Sequence, residues 1–415
     1  MTPPESFRGR AALMAAHCAG MVDLVALPVW VGTLVSQFGL APQQAGLLAT
    51  LFLAGAVVAS LVVAPRIARL PGRRVASLGY AVAAAAFAGV ALGVVPASVP
   101  GSEAAYALLA LLHAVAGVSA GAALSVTHGT IARSARPHRL FALVGMALGV
   151  FAILFMGATP PLVAAHGGSV LFMVFGGVMA VAAVVCAVAF PQTEEPAAAP
   201  SPAGSRADVA APRAPLPPAV WAGMAGLAAM ALVQAMTFSF LERVGDHRGF
   251  SAEAITGVLV ALGVVNLLPA PLAAWLERRL PARSVLLGGA LLQAVLAIII
   301  MTATGLLPYA AAASVFAAVM IFTHTFAFGA LAQMDRSGRA LAATPAMLMV
   351  GAALGPILGG TLVQFLGYGS LAVAALVIGL GAFTCFLRLR IRPPEPGLAR
   401  APAGPLGVAA DAHPR

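Results

Sequence analysis

The sequence predicts an all-α integral membrane protein: twelve transmembrane helices arranged as two pseudo-symmetric six-helix bundles. Three observations carry that expectation. The 415 residues are 61% hydrophobic and only 9% charged, with mean hydropathy +0.99, too little charge to solvate the surface of a soluble fold of this size. Apolar stretches long enough to cross the hydrocarbon, about 20 residues each, recur along the chain with no barrel-like alternation. Finally, every second gap between these stretches is rich in arginine.

The stretches fall at 11–37, 44–66, 75–96, 104–131, 140–164, 168–191, 218–241, 252–275, 284–305, 308–333, 340–366 and 369–390. Arg8 and Arg10 precede the first; Arg66, Arg69, Arg73 and Arg74 follow the second; Arg133, Arg136 and Arg139 follow the fourth. Arg206 and Arg213 follow the sixth, Arg278, Arg279 and Arg283 the eighth, Arg336 and Arg339 the tenth, and Arg388 onward the twelfth. The intervening gaps hold only Arg243 and Arg248. Basic residues near helix ends stay on the cytoplasmic side, so both termini are expected inside, in an inner (plasma) membrane, with an even number of crossings.

Composition also excludes several functions. The net charge of +10 is dispersed over short loops, with no basic domain for nucleic acid; its expected partner is anionic lipid. Cys18, Cys186 and Cys385 all lie in apolar stretches, so neither a disulfide framework nor a thiolate metal cluster is indicated. The apolar run after Arg10 continues past Pro28 and Trp30 to Phe38, too long for a cleaved signal. No lysine occurs, which removes a P-loop and a Schiff-base enzyme together. With no nucleophile elbow, paired carboxylates or metal-ligand spacing, the expectation is a non-enzyme without metal or cofactor.

The expected domains are an N-terminal bundle over 1–191, a Pro/Ala-rich cytoplasmic linker over 192–216, a C-terminal bundle over 217–392 and a disordered tail over 393–415. The halves echo one another. The segment from His128-Gly129 through Ala132 and Arg136 to Arg139 matches Phe328-Gly329 through Ala332 and Arg336 to Arg339 at an offset of 200. Arg69-Leu70-Pro71-Gly72-Arg73 matches Arg279-Leu280-Pro281-Ala282-Arg283 at an offset of 210. Duplicated six-helix halves are a transporter plan with cargo held near the midplane.

On these features the chain resembles the major facilitator superfamily over nearly its whole length. Gly72-Arg73-Arg74 fits the end of the family's loop 2–3 signature, while Pro65 and Arg69 stand where a glycine and an aspartate are usual. His113-x-x-x-Gly117 stands at the family's Arg-x-x-x-Gly element in helix four. Gly351, Gly355, Pro356, Gly359 and Gly360 resemble an antiporter motif but lie in helix eleven, where helix five would carry it. The resemblance implies a monomeric secondary transporter working by alternating access, with a cavity lined by helices one, four, seven and ten.

Asp23 is the sharpest candidate. It lies roughly 18 Å along the first helix, at about 1.5 Å per residue, and is the one carboxylate well inside an apolar stretch. Intramembrane acids mark ion or substrate paths, so Asp23 is a candidate proton carrier; a protonated acid tying helices together is the structural alternative. His324, flanked by Thr323 and Thr325, is expected at a similar depth across the cavity, with His113 a weaker counterpart. His17 is expected at the interface. Gln234 and Thr237 share a face of helix seven, as hydrogen-bonding contacts for cargo or for another helix. Trp30, Trp221 and Trp275 are expected as interfacial belt residues. Gly351, Gly355 and Gly359 form a smooth stripe, a bending seam or plain tight packing. On the cytoplasmic face, Arg69 with Asp335, and Glu277 with Arg136 or Arg139, are expected to pair when the cavity opens outward.

With no intramembrane arginine, the expected cargo is a small neutral, cationic or amphipathic drug or metabolite, exported against protons. Uptake of a metabolite and a non-transporting receptor or scaffold are the alternatives.

Overall fold

A computed structural model describes residues 3–67, 69–93, 102–191, 216–277, 279–335 and 339–389. Within them, twelve helices are long and apolar enough to cross a membrane. In chain order they are α1 (Phe7–Ser36), α2 (Pro42–Arg66), α3 (Gly72–Ala91), α4 (Glu103–Ala132), α5 (Arg139–His166), α6 (Ser169–Ala189), α7 (Pro218–Ser239), α8 (Ala252–Leu276), α9 (Ala282–Thr302), α10 (Leu306–Met334), α11 (Ala346–Leu366) and α12 (Gly369–Leu387). All twelve expected stretches are present. The expected linker, apart from Leu216, and the tail lie outside the described residues, as do Arg278, Arg336 and the arginines beyond Arg388.

The ends differ from expectation by six residues at most. The first helix begins early because Ser6 caps it, its hydroxyl accepting the Gly9 amide at 3.0 Å. Three helices are interrupted. Met21 leaves helical geometry (φ −109°, ψ 10°) and divides α1 into Phe7–Gly20 and Val22–Ser36. Beyond Ser239, α7 bends at Phe240 and continues as a short helix, Leu241–His247. In α8 the break lies between Val265 and Pro269, where Pro269 and Pro271 remove two amide donors.

Local geometry repeats between the halves. Gly39 and Gly249 both take positive φ (65° and 79°) in the hairpins after α1 and α7, and Gly167 and Gly367 do so (87° and 75°) after α5 and α11. A side chain at these positions would be strained, so glycine closes the turns. Arg73 donates to the Ala187 carbonyl at the end of α6, and Arg283 donates to Leu387 at the end of α12 at 3.1 Å. Both arginines complement the carbonyl end of a helix in their own half.

The N-terminal bundle is centred on aromatic rings. Trp30 is fully buried, stacked on His113 at 5.5 Å and edge-on to Phe52 and Phe175 at 5.3 and 4.9 Å. Trp30 is therefore a core residue and not a belt residue, which corrects the sequence expectation. Trp221 and Trp275 are 50% and 61% exposed, near the ends of α7 and α8.

Candidate functional site

Two kinds of helix contact share the same chemistry and do different work. Inside each bundle, glycine lets backbones touch. A Cβ on Gly117 would meet the Phe52 backbone of α2, and one on Gly121 the backbone of Ala56. In the other half, a Cβ on Gly351 would meet the Ala228 carbonyl, on Gly355 the Ala235 and Met236 backbone, and on Gly359 the Phe240 ring. The Gly351/Gly355/Gly359 stripe thus packs α11 onto α7 of its own bundle.

Between the bundles a different set of residues meets. Gly46 of α2 faces the Pro356 carbonyl of α11, and Gly360 faces Pro42 and Gln43. Thr50 donates to the Ala353 carbonyl at 2.7 Å and accepts the Ile357 amide at 3.1 Å. Gln43 donates to Thr361 at 3.2 Å, and its amide donates to Gln364 at 3.1 Å. A second seam joins α5 to α8, where a Cβ on Gly263 would lie 3.1 Å from Ile153 and one on Gly157 3.4 Å from Val260. A third brings Gly32 of α1 against Glu242 in the short helix after α7. These close contacts between the bundles therefore lie at the arginine-poor ends and in the middles of their helices.

α1 runs at the centre: 72% of its most apolar window is buried, the largest share of the twelve. Asp23 follows the Met21 break and is 3% exposed. Amides at the start of a helical segment lack intrahelical acceptors, and Asp23 Oδ1 accepts that of Leu24 at 2.9 Å. Its carboxylate lies in electrostatic range of the Tyr80 hydroxyl of α3, which donates to the Ala16 carbonyl at 2.5 Å. Asp23 is thus turned into the N-terminal bundle, while the neighbouring Leu24 is 37% exposed.

His113 is fully buried; its Nδ1 donates to the Leu109 carbonyl at 2.8 Å and its Nε2 has no partner. It lies within the aromatic core and not on a cavity wall. His324 Nδ1 donates to the Met320 carbonyl at 3.0 Å, and its ring lies 5.3 Å from Phe328. Thr323 is 1% exposed, donates to Val319 at 2.7 Å and packs on Gly289 of α9. Gln234 accepts a hydrogen bond from Gln293 of α9 at 3.0 Å, and Thr237 is fully buried with its hydroxyl unpartnered. Of the candidate cargo contacts on α7, Gln234 is thus engaged by its own bundle.

On the arginine-rich face, Asp335 is 9% exposed and accepts the Ala340 amide at 2.8 Å, while Arg69 and Glu277 are exposed. Gly72 packs beside Phe190, 3.3 Å from where its Cβ would lie, and Arg73 holds α6 as described.

Two features were not anticipated. His17, expected at the interface, is 7% exposed, its Nδ1 3.0 Å from His128 Nε2 of α4; no sequence spacing joins residues so far apart. Glu242, past the expected end of the seventh stretch, is drawn into the seam because the helix resumes after Phe240. Its Oε2 reaches no solvent and has no hydrogen-bond partner. Among the described residues, no group of three or more His, Cys, Asp or Glu could hold a metal ion.

Twelve spans in two bundles, joined along one face with a buried acid in the central helix, define a membrane carrier. The family model of the Major Facilitator Superfamily matches residues 12–334. Solved structures agree in fold. A bacterial homologue of the human lysosomal transporter Spinster, inward-facing and occupied, superposes with TM-score 0.66 at 14% identity, over 94% of this chain and 95% of that one. A mutant of the peptide transporter POT gives 0.67 at 14% identity, over 94% and 97%. The same transporter in complex with sulfate gives 0.66 at 16% identity, over 94% and 97%. No curated protein matches the chain by sequence. The chain belongs to the major facilitator superfamily, and it is a secondary transporter of that family.

Proposed function

We propose that the chain exports a small neutral, cationic or amphipathic drug or metabolite across the inner membrane in exchange for protons. In this reading the arginine-rich face is cytoplasmic, with both termini there, and the transporter works as a monomer. The observation that carries the reading is the position of Asp23: a buried acid on the most buried helix of the twelve. An acid in hydrocarbon is stable when protonated or paired, so moving it between a dry and a wet environment moves a proton. The Leu24 amide supplies a hydrogen bond for the charged form.

The test uses proteoliposomes holding a pH indicator, with a panel of lipophilic cations and neutral metabolites. Wild type is expected to show cargo-dependent proton movement, and Asp23→Asn is expected to reduce it to the vesicle background, a loss of about tenfold or more. Cargo flux with unchanged proton movement in Asp23→Asn removes Asp23 from the coupling path. Protons and cargo moving in the same direction would replace export with uptake.

The cytoplasmic pairs Arg69–Asp335 and Glu277 with Arg136 or Arg139 belong to the opposite state in this cycle. In the present state Asp335 accepts the Ala340 amide. Exposed pairs contribute about 0–1 kcal/mol each. The Asp335→Asn/Glu277→Gln double variant is therefore expected to shift the ratio of states toward the one described here by about fivefold. An unchanged ratio in a crosslinking assay would remove these pairs from the cycle.

A further inference from the structure

Glu242 combines four features that no other acid among the described residues shares. It sits between the bundles, one of its oxygens is buried and unpartnered, it faces a glycine, and the nearest cation is engaged elsewhere. A Cβ on Gly32 would lie 3.0 Å from Glu242 Cδ and Oε2 and 3.2 Å from Oε1. The carboxyl group therefore fits against α1 because α1 has no side chain there. Arg243, next in sequence, directs its Nη1 to Asp246 Oδ2 at 2.7 Å. Arg248 gives Nη2 to the Met301 carbonyl of α9 at 3.0 Å.

We propose that Glu242 is a proton-dependent lock on the arginine-poor face: the seam between α1 and the short helix closes only when Glu242 takes up one proton from the adjoining water. On closure, a lone pair of a carboxylate oxygen forms an O–H bond with a proton released by hydronium, and the neutral acid enters the seam. On opening, the O–H bond breaks and the proton returns to water on the same face. This rests on the alternating-access reading and adds a residue that Asp23 does not replace.

Burial pushes the Glu242 carboxyl up from 4.5 to about 8, partly offset by Arg243 and reinforced by Asp246. The other titratable groups nearby are His247 and Arg248 on the same short helix, Tyr309 of α10, whose hydroxyl donates to Leu241 at 2.8 Å, Glu253 at the start of α8, and Tyr368 before α12, its ring 5.0 Å from that of His247. The facing segment of α1 carries Asp23 as its titratable side chain, nine residues inward; the end of α9 offers the Met301 carbonyl. The pKa is higher in the closed state, so protons favour closure. Closure is fully supported below the open-state value near 4.5 and is lost as pH rises toward 8. Between those limits the closing equilibrium changes by at most about tenfold per pH unit, the limit for one proton. An acidic outer side would then drive the carrier back to the state open on the arginine-rich face, the return stroke of an exchange with protons.

The experiment places spin labels on Gln37→Cys and His247→Cys, both exposed at this seam, in a cysteine-free background, and measures the distance distribution from pH 4 to 9. In the otherwise native chain, the open fraction is expected to rise with pH between about 4.5 and 8. In Glu242→Gln, a neutral isostere, the seam is expected to stay closed at all pH values. Glu242→Asp retains a titratable group and is expected to retain the pH dependence, which covers poor folding of the glutamine variant. An unchanged pH dependence in Glu242→Gln, or an open fraction in the native chain that ignores pH, overturns the lock and leaves alternating access standing. A seam that never opens under any condition overturns both.

Discussion

Gly117→Leu is expected to yield protein that unfolds far more readily than wild type, with little left to assay. The added side chain would be driven into the backbone of Phe52, in contact with Gly117 within the same bundle. Backbone cannot swing aside as a side-chain tip can. Overpacking of well-packed cores costs about 1–3 kcal/mol and sometimes more, and a helix-to-helix backbone contact belongs at the upper end. Thermal unfolding in detergent checks this: a variant as stable as wild type would mean that α2 and α4 separate easily within the bundle.

Gly46→Leu is expected to do something different, although its contact is equally close. Gly46 meets the Pro356 carbonyl of the opposite bundle, and the same seam holds Thr50 to Ala353 and Ile357. These partners can separate as bundles without unfolding either one. The cost of about 2–3 kcal/mol therefore falls on the closed state alone, shifting the balance toward opening at the arginine-poor face by about 30- to 150-fold. Unfolding should be nearly unchanged, while crosslinking of Gln43→Cys to Thr361→Cys should slow by a similar factor. A variant that crosslinks at the wild-type rate would show that the α2–α11 seam does not move.

Much of the fold was legible because the membrane restricts the choices. Backbone polar groups must be satisfied within each span, so length and hydropathy suffice to find helices. The repeat offsets between Arg69–Arg73 and Arg279–Arg283 anticipated a real correspondence: Arg73 and Arg283 hold equivalent helix ends. Features arising from helix irregularity or three-dimensional pairing were less legible. Glu242 opens a short polar run directly after the apolar stretch, and nothing local announces that the helix resumes beyond Phe240 and carries it into the seam. Trp30 sits near one end of its apolar stretch as a belt residue would, yet neighbours from four other helices surround it. The glycine stripe of α11 was readable as close packing, but its partner was not. Gly351, Gly355 and Gly359 face α7 within their bundle, while Gly360, one residue along and about 100° around the helix, faces the other bundle.

The central claim is that one pathway through the middle of the molecule opens alternately to the two faces, and that the α2–α11 seam closes it at the arginine-poor side. Leu24, exposed in the middle of the largely buried α1, offers a cargo-independent reporter. Leu24→Cys would be placed with Gln43→Cys and Thr361→Cys in a chain whose native cysteines are replaced, in vesicles of defined orientation. With the Gln43–Thr361 bridge reduced, an impermeant thiol reagent is expected to reach Leu24→Cys from either face. With the bridge oxidised, labelling is expected from the arginine-rich face alone. Labelling from the arginine-poor face that persists after bridging, or is absent before it, would contradict the account.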